Sequence, residues 1–356
     1  GGGEYTRVVV VRPDGSGGRM LAGGPAAGPG AQAQARGPQA ATLGRWTGDG
    51  TLLGVSETRG GGRPATGAGP ETGDHAAAGL FDGYLVNPDT GDRTYVATGV
   101  ALSVCDVSRD GRYALIRRGP RSEREIVLVE LGTGVERRLP ASGPDRLGTV
   151  GFARFFVDGH TAYLQTDAGR ERIALLAVKL PDHGGPEPCG LADTADPTWD
   201  DVQVLAARDD ADLDRFTLVP DGRSVALAWN VDGRSELEIL DLETLRRRVL
   251  PPPPRDVVTS LLATSDGRWL VMALDGSAAP GQLWTYDLTS GFAGYRRLVA
   301  PGEDAPGESG LGEVGLGQVG LGEAGLGEAG LGGSGFGSAA ATPPWGSVDG
   351  AAPGWP

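Results

Sequence analysis

Residues 220–250 read PDGRSVALAWNVDGRSELEILDLETLRRRVL, and the fold is decided by how this stretch is read. Asp221-Gly222 marks a tight turn, because glycine tolerates positive φ and aspartate can accept bonds from its own backbone. The residues that follow alternate, with Val225, Leu227 and Trp229 on one side and Ser224, Ala226 and Ala228 on the other. That is the period of a strand, not of a helix. Asp232-Gly233 makes a second turn. A second strand follows, with Leu237 and Ile239 set against Glu236 and Glu238, and the apolar parity then shifts to Leu240 and Leu242. A hairpin this short cannot bury an apolar face alone, so it needs neighbours of its own kind.

The chain supplies them. Asp-Gly turns followed by an alternating strand recur at Asp49-Gly50, Asp110-Gly111, Asp158-Gly159, Asp221-Gly222 and Asp266-Gly267, at intervals of 61, 48, 63 and 45 residues. One four-stranded propeller blade takes about 45 residues. The two longer intervals hold insertions, Gly-rich at 60–79 and Pro/Asp-rich at 181–200. Each turn leads to the same second half, seen in 82–95, 122–139, 235–250 and 282–298: an apolar strand, a D-L-x-T-G-like turn and an outer strand. Arginines fall at one place in the outer strand, at Arg137-Arg138, Arg246 to Arg248 and Arg296-Arg297. A solvated outer strand that resists edge pairing explains them.

Residues 6–21 match that second half at the same 16-residue length, with no first half before them. The expectation is an all-β propeller of four-stranded antiparallel blades over residues 1–300, starting mid-blade, with half a blade followed by five. An intact ring would need a further element upstream, and an unclosed one would leave strand edges open to self-association near residues 6–11 and at the last blade. Residues 310–339 repeat every five residues as GLGEV, GLGQV, GLGEA, GLGEA, GLGGS and GFGSA. Glycine at that density penalises helix and strand alike. Residues 301–356 therefore read as a flexible low-complexity tail or linker.

Composition narrows the function. Gly 62 and Pro 26 in 356 residues disfavour long helices, while 39% hydrophobic content still permits a core. A net charge of −14 argues against nucleic acid or anionic lipid as a partner. No apolar run reaches the about 18 residues of a membrane span, and the N-terminal stretch is not a secretory signal. Cys105 and Cys189 are too few for a disulfide scaffold, so a reducing, cytoplasmic setting is expected.

Catalytic motifs are not found. Ser56, Ser224, Ser235, Ser309 and Ser334 each follow a glycine by two positions, but none has the second glycine of a nucleophile elbow. His75, His160 and His183 read as loop residues. Lys179, the single lysine, stands in no phosphate loop, and no cysteine or histidine spacing suits a metal. Asp200, Asp201, Asp209, Asp210, Asp212 and Asp214 are acidic enough for a cation, yet they read as solvated strand ends and turns. Trp46, Trp229, Trp269 and Trp284 read as core.

The units SRDGRYALIRRGPRSEREIVLVELGTGVERRL and VPDGRSVALAWNVDGRSELEILDLETLRRRVL resemble the propeller domain that precedes the catalytic domain in the prolyl oligopeptidase family of serine peptidases. Residues 204–224, VLAARDDADLDRFTLVPDGRS, are similar to actinobacterial members, and TolB-like propellers share the D-G-R turn. The resemblance implies a non-catalytic domain that caps an α/β-hydrolase domain and admits short peptides. That hydrolase domain and short peptides are then the expected partners. No catalytic position of the family matches a residue of this sequence, so the expected catalytic, cofactor-binding and metal residues are none, and no cofactor is expected. The other readings are a TolB-like protein-binding module and a gene fragment with no role of its own.

Overall fold

The computed structural model describes residues 6–12, 16–23, 40–47, 50–59, 79–120, 123–140, 149–181, 197–277, 279–290 and 294–298. Most of both insertions, the pentapeptide repeat, Asp49, His75, His183, Cys189, Ser309 and Ser334 lie outside them. The chain forms two compact units, Gly1–Val204 and Leu205–Pro356.

In the first unit, β1 (Val8–Val10) and β2 (Arg19–Ala22) form a two-stranded sheet. Four-stranded meanders follow: β3 (Ala41–Trp46), β4 (Leu53–Thr58), β5 (Leu80–Val86) and β6 (Arg93–Val100), then β7 (Ser103–Val107), β8 (Tyr113–Arg118), β9 (Glu125–Glu130) and β10 (Glu136–Arg138). The third meander has β11 (Val150–Phe155), β12 (Thr161–Thr166) and β13 (Ala174–Lys179), and its last strand, β14 (Val202–Ala206), runs across the boundary between the units. The second unit holds β15 (Asp212–Leu218), β16 (Ser224–Val231), β17 (Arg234–Asp241) and β18 (Arg247–Val249), then β19 (Val257–Ala263), β20 (Trp269–Gly276), β21 (Ala279–Asp287) and β22 (Tyr295–Arg297). Among the described residues the pattern is the expected one: one pair of strands and five antiparallel sheets of four.

The turns are specified locally. Between the first and second strands, Gly111, Gly159, Gly222 and Gly267 all have φ between 68° and 72°. The preceding aspartate carboxylate accepts from the backbone beyond the turn, as Asp221 does from Arg223 N at 2.8 Å and Ser224 N at 2.9 Å. Asp232-Gly233 closes the β16–β17 hairpin with both residues at positive φ, 50° and 81°, the signature of a type I′ turn.

The alternation within strands reports two cores. Ala114, Ile116, Val127 and Val129 of one sheet face the cluster that contains Leu85, Val96 and Val104. Tyr113, Leu115, Ile126 and Leu128 of the same sheet face the cluster that contains Val150, Phe155 and Leu164. Both faces are therefore apolar. Each fully buried aliphatic side chain contributes about 1.5–3 kcal/mol relative to exposure.

The same fact corrects the parity reading of 220–250. β16 and β17 pair without a register skip from Ser224↔Asp241 to Val231↔Arg234. Val225, Leu227, Trp229 and Leu240 lie on one face, and Ala226, Ala228, Leu237 and Ile239 on the other, all of them buried. The apparent shift of parity is a strand buried on both faces.

Trp229 is wholly buried, and Trp284 is half-buried against the cluster on the opposite face, which contains Ala226 and Ala228. Trp269 is half-buried beneath the Arg268 guanidinium, 4.8 Å from its ring centroid. Trp46 departs from expectation at 41% exposed. It ends β3, the edge strand of its sheet, directly after a register skip that strict alternation cannot anticipate.

Candidate functional site at the first strands

Each sheet begins with a strand that skips register at a similar point. The skips fall between Leu43 and Trp46, Val104 and Asp106, Val150 and Ala153, Leu213 and Arg215, and Val258 and Ser260. A bulge leaves backbone groups outside the ladder and re-aims the side chains around it. Arginines take up the freed carbonyls. Arg154 Nη1 donates to Cys105 O at 2.7 Å, Arg117 Nη1 to Gly151 O at 2.6 Å and Arg215 Nε to Thr259 O at 3.3 Å.

Around the β7 bulge these contacts gather charge. Phe155 N donates to Asp106 Oδ2 at 2.9 Å, and the Arg117 and Arg154 guanidiniums lie 5.8 and 5.7 Å from the Phe152 ring centroid. Desolvation, and then the nearby Arg45, hold Arg154 down at about 10. Desolvation raises the Asp106 carboxyl against the pull of Arg154 and Arg45. Burial likewise raises the Cys105 thiol, which keeps it protonated and poorly nucleophilic at neutral pH. Sequence reasoning missed this cluster. A trace was present in the pairs Arg45-Trp46, Arg154-Phe155 and Arg215-Phe216, each an arginine before an aromatic in a first strand.

In the second unit, a cleft of about 530 Å³ is lined by Asp232, Arg234, Asp256, Thr259, Asp275 and Ser277, among others. Arg234 Nη2 lies 3.6 Å from Asp256 Oδ1, and Asp275 accepts from Gly276 N at 2.8 Å. The cleft carries net negative charge.

The residues singled out in the sequence have structural partners. Ser56 and Ser235 are buried inside strands, and Ser235 Oγ accepts from Val258 N at 2.9 Å. Ser224 opens β16. His160 is exposed after its turn glycine, its N–H donating to Asp158. Lys179 is exposed at the end of β13. Asp201 caps a single 3-10 turn, Trp199–Asp201, by accepting from Thr198 N at 2.7 Å, and Asp200 is exposed beside it. Arg208 grips Asp210 through two bonds of 2.9 and 2.7 Å. Asp209 is exposed, Asp212 opens β15, and burial raises the Asp214 carboxyl. Among the described residues no group of three His, Cys, Asp or Glu could hold a metal ion, and no helix is long and apolar enough to cross a membrane.

Neither a family model nor a curated protein matches the sequence. Solved structures do. TolB from Acinetobacter baumannii aligns over 79% of this chain and 57% of its own, with a TM-score of 0.50 at 19% identity. A structure from a structural and mechanistic study of two prolyl endopeptidases aligns over 72% of this chain and 35% of its own, with a TM-score of 0.51 at 18% identity. The fold is a β-propeller. Prolyl oligopeptidase B from Galerina marginata, bound to a 25mer macrocyclization substrate, aligns over 72% of this chain and 33% of its own, with a TM-score of 0.50 at 13% identity. The propeller thus spans little more than half of the TolB chain and about a third of each peptidase. At these identities the likeness is one of fold.

Proposed function

We propose that this propeller is the non-catalytic module of a prolyl-oligopeptidase-like serine peptidase, where it restricts which peptides reach the serine of an α/β-hydrolase domain. The observation that carries this reading is the fold match to a prolyl endopeptidase, which takes up 72% of this chain but only 35% of that one. Ser56, Ser224, Ser235 and His160 support a role without chemistry, since these serines are strand residues and the histidine is exposed at a turn. Selection is then steric: a peptide must fit past the module to reach the reacting serine.

A second reading is a TolB-like module that binds a protein partner. The broader match to TolB, over 79% of this chain, and the acidic cleft favour it. A pull-down discriminates the two. The gating reading expects stable co-elution with a hydrolase domain of the prolyl oligopeptidase type, and no hydrolysis of prolyl- or acyl-peptide esters by the purified chain alone. Hydrolysis by the chain alone, with contaminants excluded, overturns a non-catalytic role. Failure to co-elute leaves the TolB-like reading.

A further inference from the structure

Three arginines of the first unit converge on the register skip of β7. Arg154 and Arg117 reach across the bulges to Cys105 O and Gly151 O and lie against the same Phe152 ring. Arg45 stands at the skip of the neighbouring strand β3. There Gly44 lets the two strands approach so closely that a Cβ would fall 2.7 Å from Val104 O. None of the three forms an ion pair among the described residues, whereas Arg93 is paired with Glu57 at 2.6 Å and Arg118 with Glu125 at 2.7 Å. The Nε atoms of Arg117 and Arg154 are buried and have no hydrogen-bond partner. Asp106, the carboxylate that acts on Arg154, already accepts from Phe155 N. Unpaired guanidinium groups held together in a half-buried place repel one another, and a chain of net charge −14 has acids to spare for neutralising them. Among the described residues Asp106 acts on both Arg154 and Arg45, yet no ion pair joins it to either.

We propose that Arg45, Arg117 and Arg154 form a binding site for a carboxylate ligand whose apolar part packs on Phe152. Guanidinium forks match a carboxylate with paired hydrogen bonds, and an aromatic ring beside them selects an organic anion over a bare inorganic one. Desolvation and then the Arg45 charge lower Arg154, and a bound anion relieves the second of these. Recognition of a carboxylate stands on this geometry alone. That the carboxylate is a peptide's rests on the gating reading.

Calorimetric titration of the full chain tests the site with four probes: an N-acetylated dipeptide ending in phenylalanine as its free acid, the same dipeptide as its amide, benzoate, and inorganic phosphate. Free acid and benzoate should bind, and the amide at least about tenfold more weakly than the acid. Arg45→Gln should lose at least about tenfold in benzoate affinity, with Arg45→Lys recovering part. Arg45 has no side-chain hydrogen bond or ion pair among the described residues, and its charge acts on Arg154 and Asp106 in opposite senses, so the unliganded Gln variant should keep a cooperative melt. Phe152→Leu should weaken benzoate independently. Benzoate binding without the dipeptide acid supports the carboxylate site and removes the peptide. No binding of benzoate, phosphate bound as tightly as benzoate, or affinity indifferent to both Arg45→Gln and Phe152→Leu overturns the proposal.

Discussion

Asp287 shows how one carboxylate can join two turns. It ends β21 and accepts from Thr289 N at 2.9 Å, Thr289 Oγ1 at 2.8 Å and Ser290 N at 3.0 Å, fixing the turn that follows. Arg268 of the earlier D-G-R turn reaches its other oxygen at 3.3 Å. Asp241 and Glu130 hold the same place in their sheets, with Thr244 and Thr133 bound on one side and Arg223 and Arg112 on the other, at 3.9 and 3.8 Å. Desolvation works against the charge of Asp287, but the hydrogen bonds of Thr289, Ser290 and Arg268 prevail and hold its carboxyl down to about 2. A folded value below the unfolded one stabilises fully above the unfolded pKa of about 4 and is lost as the pH falls toward the folded value. Asp287→Asn should therefore lower the melting temperature at neutral pH and flatten the acid limb between about pH 4 and pH 2, followed by circular dichroism. An unchanged acid limb would remove Asp287 from this role. These turns were legible because the demand they answer is local: positive φ for glycine, and a short acceptor beside it. The arginine cluster was not, because Arg45, Arg117 and Arg154 come from three sheets and meet only through bulges.

The elements carry the repeat further than the turns do. β16 and β17 bury both faces, and Trp229 fills one of them, with its Nε1 donating to Glu238 at 2.9 Å. Arg247 of the outer strand approaches the same carboxylate at 3.4 Å. The outer arginines expected to guard a solvated edge do lie on exposed strands, and they also lean back onto acids of the strand beside them, as Arg138 does on Glu125 at 2.6 Å. Trp229→Ala should cost about 3–5 kcal/mol in denaturant unfolding, the range for removing a buried aromatic. A loss under about 1 kcal/mol would mean that the strand is not a core strand. Period-2 alternation gave the strands themselves. It fails where a first strand skips register, so alternation puts Trp46 in the core whereas the structure leaves it 41% exposed.

At the scale of the molecule, the five sheets of four strands and one of two among the described residues match the repeat count read from the Asp-Gly spacing. β1 pairs with β2 along one edge, and Val9 and Val11 are 51% and 53% exposed. Their counterparts in the repeat, Glu238 and Leu240, are buried. An apolar edge without a charge within Val8 to Val11 favours strand addition. Sedimentation should show concentration-dependent self-association that Val9→Lys reduces, and a monodisperse monomer at high concentration would contradict this. The repeat units resemble those of prolyl oligopeptidase propellers, whereas the fold alone leaves a peptidase module and a TolB-like module side by side. The measurement that separates them most directly is hydrolysis of a peptide length series by a hydrolase domain of the prolyl oligopeptidase type, with and without this chain. Gating predicts that cleavage of long peptides falls when the chain is present while that of short peptides persists. An identical length profile in both conditions would contradict it.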